Sequence, residues 1–410
     1  MATTEAADVE VQWFGRGIAG IGAASLLADV GHEIPTALLP SLLTSTLGAP
    51  ASALGVIEGV SDALAGVARF GGGALADDPH RRRAVAVGGY TTTAVLSAGI
   101  GVATAPWQVG LLRAGAWTAR GLRVPARNAL LADIVPASVY GRAYGFERSM
   151  DNLGAIVGPL LAIGLVGAVG IRWAIGLSVI PGLLAALAIV YAIRHTAAPA
   201  QRDRQPIRLR VRPVLQGQLG RLMSGITVFE LGNCAATLLI LRATELFQPG
   251  RSNDHATQLA LVLYVVYNLA ATLVSVPAGR HGDRHNPTRV LVAGAALFVA
   301  AYVWFAVGPA GVAVLAPAFV VAGLGIGGVE TAEHAAVATH APTPLRGSAF
   351  GLLAVTQSAG NLAASGIAGI LWTAVSPTAA FIFLAVVMAA ATATLGLVAR
   401  RDTGAGDGSA

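Results

Sequence analysis

Residues 73–83, GALADDPHRRR, and residues 279–289, GRHGDRHNPTR, are two copies of one short loop set 206 positions apart. Gly73 and Asp77 fall on Gly279 and Asp283. The same offset carries Pro136 onto Pro342, Gly141 onto Gly347, Ala143-Tyr144-Gly145 onto Ala349-Phe350-Gly351, and Gly154 onto Gly360. One constant offset across separate regions means that a unit of about half the chain is duplicated. The unit is repeated in the same chain direction.

Around these loops the chain is apolar. Only 12% of its 410 residues are charged and 55% are hydrophobic, whereas soluble domains carry about 25% charged residues. Mean hydropathy is +0.67. The apolar material comes in runs of roughly 20 residues, the length that crosses about 30 Å of hydrocarbon at 1.5 Å per residue. The 51 glycines suit helices that approach closely in lipid, where no hydrophobic force drives them together. Length, Gly/Pro punctuation and charge predict spans at 13–46, 51–75, 84–105, 107–131, 143–169 and 172–194, then at 217–246, 257–280, 288–308, 311–338, 346–374 and 377–399. This divides the chain into a tail (1–12), a first six-helix bundle (13–194), a polar linker (195–216), a second bundle (217–399) and a tail (400–410). A six-plus-six parallel repeat places a substrate site between the halves, near mid-membrane.

All 27 basic residues are Arg. They crowd alternate loops: Arg81, Arg82, Arg83, Arg142, Arg280, Arg284, Arg289, Arg346, Arg400 and Arg401 lie on one side, and essentially Arg172 and Arg251 on the other. Positive charge stays on the cytoplasmic face, so both termini and the linker are expected there in an inner-membrane, multi-pass protein. This placement accounts for the net charge of +6 without a nucleic-acid partner. The acidic start MATTEAADVE lacks the basic n-region of a signal peptide and is expected to be a cytoplasmic tail. Cys234, the single cysteine, sits in an apolar run, so no disulfide framework exists. A GxxxxGK[ST] loop is absent, as is any Lys to complete one, and no nucleophile–base spacing occurs. Neither an ATP-driven pump nor a hydrolytic enzyme is expected, and no cofactor is implied.

The duplicated loops carry a specific likeness. Gly73-Ala74-Leu75-Ala76-Asp77 with Arg81-Arg82-Arg83 resembles the signature loop between the second and third helices of the major facilitator superfamily, and Gly279 to Arg284 resembles its second copy. Asp78 stands where an Arg is usual, and Pro79-His80 replaces the usual residue-Gly pair. Gly154-Ala155-Ile156-Val157-Gly158-Pro159 resembles the fifth-helix motif associated with antiporters, with the following Gly displaced to Gly164. Gly121 to Arg127 and Gly141 to Phe146 resemble a bacterial subgroup of efflux permeases. The likeness spans nearly the whole chain. It implies an all-α membrane protein of two pseudo-symmetric six-helix bundles, monomeric, whose first, fourth, seventh and tenth helices line a central cavity.

A carboxylate at one helix end can accept backbone N–H groups at the start of another. Asp77 is therefore expected near Gly347, and Asp283 near Gly141 and Arg142. Gly73, Asp77, Arg81, Gly279, Asp283 and Arg284 would form a cytoplasmic latch that breaks when that side opens.

Ionisable groups inside spans cost roughly 2.5–3.5 kcal/mol each on insertion scales, so each needs a partner or a task. Asp29 and Glu33 share one face of the first helix, and Glu58 and Asp62 one face of the second. On the fourth, Arg113, Arg120 and Arg127 form a stripe with Arg123 beside it. The fifth adds Glu147, Arg148 and Asp151. The second half offers Glu230, Asn233, Glu330, Glu333, His334, Gln357 and Asn361, which the resemblance places around the cavity with His32. Burial favours a protonated carboxyl and a neighbouring Arg an ionised one, so a carboxylate that swaps partners can load and release a proton. The expected coupling group is Asp29, Glu33, Glu58 and Asp62, with Arg120 or Arg123 modulating it. The expected function is proton-coupled export of a small organic compound by alternating access. One alternative is divalent-metal export through His32, Asp29 and Glu33. A second is a non-transporting receptor or assembly factor with the same fold.

Overall fold

The computed structural model describes residues 13–196, 207–208, 210–308 and 311–404. The expected tail 1–12, most of the linker and the chain after 404 lie outside the described residues.

Among the described residues the chain is helical throughout, in twelve long segments. The first half comprises α1 (Arg16–Ser41, running into a wider turn at Leu42–Thr46), α2 (Ala51–Ala76), α3 (Pro79–Gly99), α4 (Pro106–Ile134), α5 (Tyr140–Val169) and α6 (Ile171–Leu177 and Val179–Arg194). The second comprises α7 (Gly217–Glu230 and Ala236–Phe247), α8 (Asn253–Arg284), α9 (Pro287–Val307), α10 (Val312–His340), α11 (Arg346–Ala374) and α12 (Pro377–Gly404). Seven of these are apolar and long enough to cross a membrane on composition alone: α3, α5, α6, α8, α9, α10 and α12. Of the other five, α7 is broken into two shorter segments, and α1, α2, α4 and α11 carry charged, Gly or small polar residues that lower their hydropathy.

The repeat is visible in the packing. In the first half α4 packs on α2 and α3, while α6 packs on α1 and α3; in the second, α10 packs on α8 and α9, while α12 packs on α7 and α9. Even single close approaches recur at the offset. A Cβ on Gly121 would meet the Ala65 carbonyl oxygen at 2.5 Å, and one on Gly327 the Ala271 carbonyl oxygen at 2.5 Å.

Three local departures from expectation have clear causes. α3 begins five residues before the expected 84. Asp78 caps it, accepting from the N–H of His80 (2.9 Å) and Arg81 (3.4 Å), and Pro79 occupies the first turn, where its missing N–H costs nothing. The unusual Asp78-Pro79-His80 turn is thus a helix start. α5 likewise starts at Tyr140 rather than 143. Most important, the expected continuous helix 217–246 is broken between Glu230 and Ala236.

The bundles meet through α2 against α11 and α5 against α8. Their joining hydrogen bonds cluster at the arginine-rich end, the end of Arg82, Arg142, Arg280 and Arg346. Toward the opposite end a Cβ added at Gly55, Gly59 or Gly66 of α2, or at Gly164 or Gly167 of α5, would touch nothing. The hydrogen-bonded seal between the halves is thus at the arginine-rich end.

Candidate functional site between the bundles

The seal is built from glycines and two carboxylates. Gly73 lies against Gly347 and Gly351, and Gly279 against Gly141, so backbones touch directly. Asp77 accepts from the N–H (2.8 Å) and the hydroxyl of Ser348, one residue past Gly347. Asp283 accepts from the N–H of Gly141 (2.6 Å) and Arg142 (3.0 Å) and from the Arg142 guanidinium (2.9 Å). Ser348 and Arg142 are themselves one offset apart, so the two contacts are copies of each other. The cations differ from expectation. Arg81 pairs with Asp78 of its own turn (3.6 Å), Arg284 is exposed at the end of α8, and buried Arg82 reaches Ala76 and Asp133. Further along the same two seams Arg69 bonds Ser358, and Ser149 bonds the Thr272 carbonyl.

Among the described residues, the acids on the first half's helices all have partners. Arg113 holds Glu58 through both carboxylate oxygens (3.0 and 3.1 Å) and reaches the Thr36 hydroxyl (2.9 Å). The Trp117 indole N–H donates to Asp62 (2.9 Å), and the Arg113 guanidinium lies 3.4 Å from the Trp117 ring centre. Such a contact contributes about 2 kcal/mol when desolvated. Arg120 approaches Asp29 (3.7 Å). The pairs Asp29/Glu33 and Glu58/Asp62 do not merge into one acid group; Trp117 and Arg113 stand between them. Trp117 is a site residue that charge counting misses, although its place four residues after Arg113 and three before Arg120 puts it on the same stripe. Deeper toward the sealed end Arg127 binds Glu147 (2.8 Å), Asp151 (3.4 Å) and Ser25 (2.9 Å), while Arg148 binds Glu147 (2.7 Å) and Asp151 (3.2 Å). Glu147 and Arg127 are almost fully buried, and this network fixes α4 to α5.

His32 sits between two carboxylates. Its Nδ1 faces the Ala28 carbonyl (3.0 Å) and Asp29 (3.3 Å), and its Nε2 faces Glu33 (3.3 Å). His32 thus bridges Asp29 and Glu33 along one face of α1. The fifth-helix motif supports this face. A Cβ on Gly154 would strike the Asp29 Cβ at 2.7 Å, and one on Gly158, which precedes Pro159, the Glu33 Cβ at 2.5 Å. Among the described residues no three His, Cys, Asp or Glu side chains are gathered as metal ligands.

In the second half the acids have a different setting. At the break in α7 the freed backbone is satisfied by side chains. The Ala235 N–H donates to Ser365 (2.8 Å), the Cys234 N–H to Tyr302 (3.4 Å), and Asn361 donates to the Asn233 carbonyl (2.9 Å). Non-helical backbone at membrane depth survives only under such cover or beside a polar cavity. Glu230, at the lip of the break, accepts only from Asn233 (3.0 Å), and Glu333 of α10 accepts from Gln357 (2.9 Å) with its second oxygen unpartnered. Both are buried, at 2% and 1% exposure. Among the described residues neither has a basic partner, and each lies within electrostatic reach of another acid. Glu330 lies within electrostatic range of Arg148. His334, expected in the cavity, is instead wedged between Tyr144 and Phe350 (ring centres 5.7 and 6.0 Å) as part of the seal. The stacked Tyr264 and Tyr267 (5.8 Å) lie on α8.

The family model of the Major Facilitator Superfamily matches residues 21–248 and 251–409. An uncharacterized protein of Mycobacterium tuberculosis is 32% identical over 190 residues, 46% of this chain and 46% of its own length; the match spans about half of that relative. An uncharacterized MFS-type transporter of Methanocaldococcus jannaschii is 24% identical over 367 residues, 88% of this chain and 90% of its own. A multidrug resistance protein of Dickeya zeae is 26% identical over 203 residues, 49% of each. Among solved structures, a bacterial homologue of the iron transporter ferroportin in an outward-facing state superimposes with a TM-score of 0.72 at 16% identity, covering 94% of this chain and 98% of that one.

Proposed function

The chain belongs to the major facilitator superfamily, and from that premise we propose that it is a proton-coupled exporter of a small organic compound, working by alternating access of the two bundles. By the placement of arginine the sealed end is cytoplasmic, so the structure is the outward-open state. The observation that carries the coupling is the contrast between the halves. Glu58, Asp62, Asp29 and Glu147 each have a standing cation or indole partner, whereas Glu230 and Glu333 are buried with amide partners alone. A charge without a counter-ion at this depth is costly. These two carboxyls therefore carry the exchangeable protons in this state. When the cytoplasmic seal parts, water reaches them and the protons leave.

The stacked Tyr264 and Tyr267, within electrostatic range of Glu330, suit an amphipathic organic cation, and the name of the multidrug resistance relative favours an organic cargo. The test is solute flux in proteoliposomes with an imposed pH gradient, across a panel of cationic drugs, sugars, amino acids and divalent metals. The expected result is gradient-driven movement of one or more organic cations that a protonophore abolishes. Flux indifferent to the gradient, or movement of metals alone, contradicts the proposal.

A further inference from the structure

Inside the first bundle α1, α3, α4 and α6 line a small, partly open cavity with room for a water molecule or a halide ion. Its polar lining is His32, Tyr90, Thr93, Ser97 and Arg123; the rest is Ala and Gly, and no carboxylate reaches it. Three donors in this wall are unanswered. The Tyr90 hydroxyl, the Ser97 hydroxyl and the Arg123 Nε–H have no hydrogen-bond partner, and the three residues are only 1%, 2% and 3% exposed. Thr93 is already committed to the Gly89 carbonyl (2.7 Å), and both His32 nitrogens are turned to Ala28, Asp29 and Glu33.

Arg123 is the exception among the fourth-helix arginines. Arg113, Arg120 and Arg127 each reach a carboxylate. Arg123 makes no direct ion pair; Asp29 lies only within its electrostatic range, and it rests on the Tyr90 ring at 4.0 Å. Buried charges are otherwise paired, and buried donors are otherwise satisfied. A water would answer the donors but leave the Arg123 charge facing only the more distant Asp29. An organic anion would not fit.

We propose that this cavity is a chloride site, with the ion held by the Arg123 guanidinium and the hydroxyls of Tyr90 and Ser97. The bound ion would complete the charge of the fourth helix and pin α3, α4 and α6 behind the His32 segment of α1. It would therefore act on stability and on the positioning of Asp29, His32 and Glu33, without itself being cargo.

The experiment uses the purified full-length protein, moved from gluconate into chloride or bromide at constant ionic strength while thermal unfolding is followed. Saturable stabilisation by both halides, absent with gluconate, is expected. Ser97→Ala and Tyr90→Phe, which keep the packing and remove one donor each, are expected to raise the half-saturating halide concentration about tenfold. Crystals of the unmodified protein grown in bromide should show an anomalous peak between Arg123 and Ser97. A water in that place, or halide stabilisation unchanged in both variants, overturns the assignment.

Discussion

Gly279→Val is expected to hold the arginine-rich end open. The backbones of α8 and α5 touch there: a Cβ at position 279 would meet the Gly141 carbonyl oxygen at 2.0 Å and its carbon at 2.4 Å. Both are main-chain atoms that no rotamer change can move. Gly279 is an ordinary helical glycine without a positive φ, so valine is refused by the neighbouring helix and not by its own backbone. Overpacking of this kind costs about 1–3 kcal/mol, enough to shift the closed-to-open ratio roughly five- to 150-fold. The Asp283 bonds to Gly141 and Arg142 would be lost with it. Spin labels at Ser138 and Thr343, both exposed near this end, in a Cys234→Ser background, should report a longer distance as the major population. A distance distribution unchanged from the parent would mean that the glycine contact does not limit closure.

Glu333→Gln is expected to uncouple transport from the pH gradient and leave exchange of solute intact. Gln357 already donates to one Glu333 oxygen (2.9 Å), and no cation stands opposite. Glutamine at 333 therefore mimics the protonated carboxyl in shape and charge, and the fold should be undisturbed. In proteoliposomes, gradient-driven accumulation should fall at least about tenfold, the scale of losing an interaction of 1.4 kcal/mol or more, while solute-for-solute exchange proceeds at close to the parent rate. Equal loss of both would assign Glu333 to packing or substrate contact instead of proton carriage.

The fold was largely legible because its signals are redundant. Span length, the 206-residue repeat and the arginine asymmetry all point to one architecture, and the Asp77 and Asp283 contacts follow from a loop that occurs twice. The site was legible only in part. Periodicity shows which acids share a helix face, but which Arg meets which acid depends on how helices are rotated against each other. Arg123 illustrates this: seven-residue spacing sets it beside the stripe, and the packing turns it onto Tyr90, away from the acids it was expected to modulate. The break in α7 lies within an unbroken apolar run, and its one local sign was the turn-forming pair Gly232-Asn233. Counting charges pointed to the first half for coupling, since most ionisable groups are there. On the proposed reading, pairing, which only coordinates reveal, moves the emphasis to Glu230 and Glu333, buried acids with amide partners alone.

The claim on which the account rests is that proton occupancy of those two carboxyls sets which way the bundles tilt. Distances between labels at Ser138 and Thr343, followed from acid to alkaline pH, test it directly. Because the outward-open state binds more protons, acid should favour the short distance and alkali the long one, and Glu230→Gln/Glu333→Gln should keep the short distance at every pH. If the double variant responds to pH as the parent does, the carboxyls at the broken seventh helix do not drive the cycle.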